Sequence, residues 1–137
     1  MIFIDASALI AMMTGEAEAD ALADVMEADR IRLCSPIALW EATAGLCRSY
    51  GFAAAVARDR VKDFLGTHSI DIVAIGEREY ELAAEAYAEF GKGRHPAALN
   101  MGDCFAYASA KAKNAGLLFK GEDFSKTDIR IATIKGG

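Results

Sequence analysis

The stretch Leu99–Lys111, "LNMGDCFAYASAK", sets Asp103 into the first turn of a helix that otherwise enters an apolar core. A carboxylate beside Cys104 and Phe105 either holds that helix end together or belongs to a site. Other acids occupy comparable places. Asp5 closes the apolar run "IFID", and Glu41 follows Trp40 on the second turn of a helix opened by Ser35-Pro36. Asp123 comes after "LLFK" and Gly121-Glu122, with Asp128 a few residues on. Acids at strand ends and early helical turns can converge on one cleft.

The chemistry suited to such a cluster is hard-cation binding. Magnesium and manganese favour oxygen ligands, and magnesium bridges carboxylates to substrate phosphates while keeping several waters. Two ions about 4 Å apart activate a water and stabilise the leaving oxygen in phosphodiester hydrolysis. Without metal, mutual repulsion raises at least one carboxylate pKa. Each acid also has a plain local reading. Asp103 stands three residues after Asn100 in capping-box spacing and suits the positive end of the helix dipole. Asp5 can cap the first helix, Glu41 can be a solvated helix position, and Asp123 and Asp128 in "GEDFSKTD" fit a turn.

The elements that must position these acids alternate. "IFID" (2–5), "IRLCS" (31–35), "IDIVAI" (70–75), "LLFK" (117–120) and "RIATI" (130–134) read as strands. Helices are expected over 6–13, 16–28, 36–50, 53–65 and 77–90 and around Asp103, with a loop from Gly91 to Ala98. Ser35 serves as N-cap ahead of Pro36, and Gly51 ends that helix. Strands separated by helices indicate an α/β domain with a mostly parallel sheet, a small three-layer αβα sandwich. In such sheets ligands collect beyond the carboxyl ends of the strands.

At 137 residues, 53% of them hydrophobic and only two of them proline, the chain suits one domain over 1–137 rather than a disordered linker. No apolar run approaches the roughly 18 residues of a membrane span, and "MIFIDASALIAMM" lacks a basic leader, which favours the cytoplasm. Cys34, Cys47 and Cys104 show no CxxC spacing and lie in apolar surroundings, as buried reduced thiols do. His68 and His95 have no partner at ligand spacing. The segment from Glu16 to Asp29 carries six acids and no base, a solvated acidic face. A net charge of −5 argues against non-specific adhesion to nucleic acid. Cations bound at an acidic cluster answer that objection locally, because they invert the field there.

Four segments, "FIDASAL", "SPIALWEA", "HPAALNMGDCFAYASAKA" and "LLFKGEDFSKTDI", resemble the PIN-domain toxins of the VapC type, in that family's order and spacing. The resemblance covers essentially the whole chain and departs from the family mildly, as at Ser109. It implies an αβα sandwich and endoribonuclease activity dependent on Mg2+ or Mn2+. It also implies a cognate antitoxin as partner and a homodimer. By position, Asp5, Glu41, Asp103 and Asp123 match the family's acidic quartet as metal ligands and catalytic residues. Ser7 matches a supporting hydroxyl, and Asp128 a further acid that competes with Asp123 to face the metal. Asn100 is expected to hold the turn of Asp103.

Arg48, Lys92, Arg94 and Lys126 are candidates for contacts to the RNA backbone. Specific readers of RNA favour unpaired loops, which points to a structured RNA with an exposed loop. The alanine-rich helices around 38–57 offer a surface for close packing, or ordinary core. Two other functions stay open. "FIDAS" also suits an aspartate-based phosphatase or a phosphate-accepting receiver domain, though Ser7 stands where a phosphatase wants a second acid. A receiver would need Lys120 to face the acids. An acidic pocket that binds a partner's arginine without catalysis is the third reading.

Overall fold

The computed structural model describes residues 1–134, so residues 135–137 of the expected domain lie outside it. The apolar runs form four short strands: β1 (Ile2–Ile4), β2 (Arg32–Cys34), β3 (Ile70–Ile72) and β4 (Gly116–Leu118). They make one sheet in the order β3-β2-β1-β4, and every pairing is parallel. Phe3 lies opposite Leu33 on one side and Leu117 on the other. β1 and β4 are buried throughout, as expected of central parallel strands covered on both faces.

Between the strands run α1 (Ala6–Thr14), α2 (Ala19–Glu27), α3 (Pro36–Tyr50), α4 (Ala54–Thr67), α5 (Glu77–Phe90) and α6 (Met101–Ala112). The chain steps outward from β1 to β2 and β3, then returns to place β4 on the far side of β1. Right-handed crossovers around such a reversal put helices on both faces of the sheet, giving the αβα sandwich. The reversal also makes the carboxyl ends of β1 and β4 a topological switch point, where a cleft opens. Contacts of α6 with β1, β4 and α3 bring its first turn to that end.

Local sequence explains the helix boundaries. Asp5 caps α1 and Gly15 ends it in the left-handed region at φ +70°. Ser35 Oγ accepts the Ala38 N–H at 3.2 Å, with Pro36 opening α3. Asn100 and Asp103 form the reciprocal capping box of α6: Asn100 Oδ1 accepts from Asp103 N at 2.9 Å and Asp103 Oδ2 from Asn100 N at 3.1 Å. Gly45 lets α1 and α3 approach, since a Cβ there would stand 2.6 Å from Ile10 Cδ1.

Some expectations are corrected. The strands at 70–75 and 117–120 end sooner, at Ile72 and Leu118. "RIATI" forms no strand but an isolated bridge from Leu117 to Ile131. Leu117 N donates to Arg130 O at 2.8 Å, and Ala132 N donates back to Leu117 O at 2.9 Å. The helix expected from residue 16 starts at Ala19, because Glu16 is drawn into other bonds. Its carboxylate accepts from Tyr50 Oη at 2.6 Å and pairs with the Lys120 ammonium. The acidic face is therefore partly neutralised, the more so because Asp29 takes the N-terminal ammonium at 2.9 Å. Cys34 and Cys104 are buried, whereas Cys47 is only half-buried. In the alanine-rich helices Ala38, Ala42 and Ala57 are core, while Ala53, Ala54 and Ala55 are exposed.

Ser109 is buried within α6, and among the described residues its hydroxyl is the one buried side-chain polar atom without a hydrogen-bond partner. A desolvated hydroxyl without a partner costs about 1 kcal/mol or more. Ser109→Ala removes it at nearly constant volume, so the variant is expected to melt about 3 °C higher in a thermal scan. An unchanged or lower melting temperature would show that the hydroxyl is satisfied.

Candidate active site

Asp5 is placed by β1, whose last residue, Ile4, is fully buried; the carboxylate has 5% of its surface exposed. The backbone around it is pinned, with Asp5 N donating to Leu118 O at 2.9 Å across to β4. Its Oδ2 accepts two bonds from Ser7, from N at 3.0 Å and from Oγ at 2.5 Å. Ser7 Oγ in turn accepts the Lys120 N–H at 3.0 Å, which ties the segment after β4 to the same carboxylate. Burial still raises the Asp5 pKa above the ordinary range, although the Ser7 bonds pull the other way.

Glu41 projects from α3 and is half-buried. Burial first, then the charges of Asp5 and Asp103, push its pKa up to about 7, with Arg48 on the same helix opposing them. Asp103, in the first turn of α6, is pushed up to about 6, again chiefly by burial and further by Asp5 and Asp123. The capping box engages only its Oδ2. Asp103 is thus a helix cap and a member of the cluster at once. Asp123 stands just before the 3-10 turn Phe124–Lys126, exposed, with its charge felt at Asp103. Three acids from β1, α3 and α6 therefore lie within electrostatic reach of one another's site, with Asp123 at the rim.

Asp128 is placed elsewhere. Its carboxylate accepts a short hydrogen bond from Tyr107 Oη and pairs with Lys111 Nζ at 3.3 Å, both on α6, and these partners hold its pKa below the usual carboxylate range. Of the basic candidates, Arg48 is the one whose charge acts on the cluster. Arg94 lies over the Tyr87 ring at 5.0 Å. Lys92 is exposed in the turn after α5, and Lys126 ends the 3-10 turn.

The sequence reading missed Gly102. The Glu41 carboxylate lies against it so closely that a Cβ there would stand 1.9 Å from Oε2. A glycine inside a helical pattern was the available signal.

The donor set is entirely carboxylate oxygen, partly desolvated, with Asp5 adding to the raised pKa of both Glu41 and Asp103. That is the chemistry of a hard-cation site. Among the described residues no group of three or more His, Cys, Asp or Glu could hold an ion as it stands. Thiol chemistry is disfavoured here: burial, with a lesser contribution from Asp5, pushes the Cys34 thiol up to about 12, and burial and Asp103 raise Cys104.

Comparison with known proteins places the fold and the family. The PIN domain family matches residues 2–130. Ribonuclease VapC30 of Mycobacterium tuberculosis is 41% identical over 131 residues, 96% of this chain and 98% of the relative. A VapC ribonuclease of Rhizobium meliloti is 37% identical over 141 residues, 94% of this chain and 99% of the relative. Among solved structures, Mycobacterium tuberculosis VapC20, described as a Sarcin-Ricin loop cleaving toxin, superposes with a TM-score of 0.74. The two are 20% identical, with 94% of this chain and 96% of that one covered. A toxin-antitoxin complex from Klebsiella pneumoniae gives a TM-score of 0.68 at 21% identity, covering 93% of each chain. Those two likenesses concern the fold. With the family match and relatives of this identity spanning nearly its full length, the chain belongs to the PIN-domain family, among its VapC-type members.

Proposed function

We propose that this chain is an endoribonuclease, the toxin of a toxin-antitoxin pair, which hydrolyses RNA phosphodiesters at Asp5, Glu41, Asp103 and Asp123. The observation that carries this is the placement of the Glu41 carboxylate against Gly102, one residue before Asp103, with the charge of Asp5 felt at both Glu41 and Asp103. The identity to VapC ribonucleases supports the reaction class.

Asp5 and Asp103 are the principal ligands for Mg2+ or Mn2+, with Glu41 beside them and Asp123 at the rim. The cation supplies positive charge that makes a water nucleophilic and stabilises the leaving oxygen of the phosphodiester. Ser7 fixes the orientation of Asp5 through its two donors, and Asn100 fixes Asp103 through the capping box. Arg48 stands where it can meet a backbone phosphate beside Glu41, and Lys92, Arg94 and Lys126 are further candidates for the flanking strand. The substrate is a structured RNA with an exposed loop, whose unpaired bases leave the scissile linkage accessible. The chain acts as a single domain over 1–137, as a homodimer in the cytoplasm, held inactive by its antitoxin. Its free thiols suit a reducing compartment. No helix among the described residues is long and apolar enough to cross a membrane.

The rival chemistries lose support. Ser7, not an acid, occupies the position two residues after Asp5 and spends its hydroxyl on that carboxylate. The Lys120 ammonium, which a receiver domain would need at the acids, pairs instead with Glu16 and with Glu18 at 3.6 Å.

Asp103→Asn keeps an acceptor for the Asn100 N–H and so is expected to fold, while losing the charge. RNA cleavage by the purified chain with Mn2+ is expected to give discrete products that vanish with EDTA. The folded variant should retain less than about 1% of that activity, the scale on which loss of a key electrostatic group acts. A folded Asp103→Asn chain with full activity would overturn the assignment.

Proton competition gives a second test. Folded Glu41 and Asp103 hold their protons to about 7 and about 6, against ordinary values of 4.5 and 3.8. Between those limits the folded, metal-free chain binds more protons than the unfolded one. These groups therefore stabilise it fully at low pH, and that contribution is lost as pH rises through the folded values. A cation must displace the same protons. The rise in melting temperature on adding millimolar Mn2+ should be small at about pH 5 and clearly larger at about pH 7.5. An equal rise at both would show that these carboxylates do not bind the ion.

A further inference from the structure

Gly102 is the second residue of α6, buried, and its φ is not in the left-handed region that favours glycine. Glycine disfavours a helix relative to alanine, so conformation gives no reason for it here. Space does. A Cβ at this position would stand 1.9 Å from Glu41 Oε2 and 2.2 Å from both Cδ and Oε1. The Glu41 carboxylate thus lies in the volume that any other residue's side chain would fill.

The kind of obstacle matters. At Gly91 an added Cβ would meet the backbone oxygen of Tyr87 at 2.3 Å, which can yield only if the chain itself moves. At Gly102 the obstacle is the far end of a flexible glutamate. A methyl group there would leave the helix intact and turn the carboxylate away from α6, separating it from Asp103 one residue on.

We propose that Gly102 is a positioning residue, whose missing side chain forms the seat that holds the Glu41 carboxylate against the first turn of α6, beside Asp103. The proposal rests on the carboxylate site described above. Gly102 touches neither metal nor RNA and acts only through Glu41. It follows that this position exchanges helix stability for site geometry, so the substitution that improves the helix should impair the site.

The test compares wild type, Gly102→Ala, Glu41→Ala and the double variant, by thermal unfolding in EDTA and by Mn2+ titration followed by electron paramagnetic resonance of the free ion. Gly102→Ala is expected to melt at or about 3 °C above wild type. Its Mn2+ affinity should nonetheless fall about 10- to 100-fold, the usual effect of disturbing what orients a ligand. Glu41→Ala should lose a comparable factor, and adding Gly102→Ala to it should cost nothing more. Wild-type Mn2+ affinity in Gly102→Ala would overturn the proposal, as would a double variant whose losses multiply. If Gly102→Ala fails to fold while the double variant folds, the glutamate is shown to occupy the seat. If neither folds, the glycine serves the backbone instead and the proposal fails. Asp103→Asn, measured alongside, separates the two levels: unchanged Mn2+ binding in both Asp103→Asn and Glu41→Ala would mean that the carboxylate site itself is wrong.

Discussion

Asp5 carries a carboxylate at the end of the innermost strand, almost out of reach of water, and the surrounding structure has to make that tolerable. A buried charge is retained only where donors replace its hydration. Here the donors come from the first turn of α1, chiefly from Ser7 N and Oγ with the Ala6 amide beside them, and Ser7 is itself held by the amide of Lys120 after β4. The bonds that support the charge therefore also join β1, α1 and the segment after β4. Remove the carboxylate and Ser7 loses the acceptor that orients its hydroxyl toward the Lys120 amide. Keep it, and the remaining acids must be added against its repulsion, which is why Glu41 and Asp103 are both raised partly on its account.

The topology makes that crowding possible. Because the chain reverses direction between β3 and β4, β1 has a parallel neighbour on each side, and the loops leaving β1 and β4 part at their carboxyl ends. Helix α6 packs on both of these strands and on α3, so residues far apart in sequence arrive at one point. Small residues set how closely they arrive. Gly45 admits Ile10 between α1 and α3, and Gly102 admits the end of Glu41. Such exceptions to helix propensity mark places where packing or function decides the residue.

Much of this was legible in the sequence, for physical reasons that differ by element. The start of α3 was readable because Ser35-Pro36 is a local signal needing no tertiary context, and the capping box of α6 likewise lies within a single turn. At 70–75 and 117–120 the apolar composition runs past the strand ends at Ile72 and Leu118, because Val73, Ile75 and Phe119 stay partly buried, with Val73 N still donating to Cys34 O at 2.8 Å, after the regular ladder stops. "RIATI" has the composition of a strand but makes only an isolated bridge with Leu117. The acids divided in the same way. Asp5 and Asp103 are fixed by elements whose geometry is local, whereas Asp123 and Asp128 flank a short turn, and which way each faces depends on partners in α6. Tyr107 and Lys111, one helical turn apart, take Asp128. No spacing rule within "GEDFSKTD" contains that information. The role of Gly102 is not local, because it depends on a side chain sixty-one positions earlier, that of Glu41.

The charge problem that the composition raised is answered by distribution rather than by sign. Several acids are already engaged at a distance from the cluster: Glu16 and Glu18 by Lys120, Asp29 by the N-terminal ammonium, Asp128 by Lys111. Within the cluster the only opposing charge felt at Glu41 is that of Arg48. The net −5 of the chain is spread over exposed acids such as Asp20, Glu77, Glu81, Glu85 and Glu89, while the raised pKa values of Glu41 and Asp103 hold back part of the cluster's own charge as bound protons. A polyanion approaching the cleft meets carboxylates, whose charge a bound divalent cation would offset. Under the proposed metal-dependent reading, charge neutralisation by the ion, rather than a general basic surface, would open the cleft to phosphate.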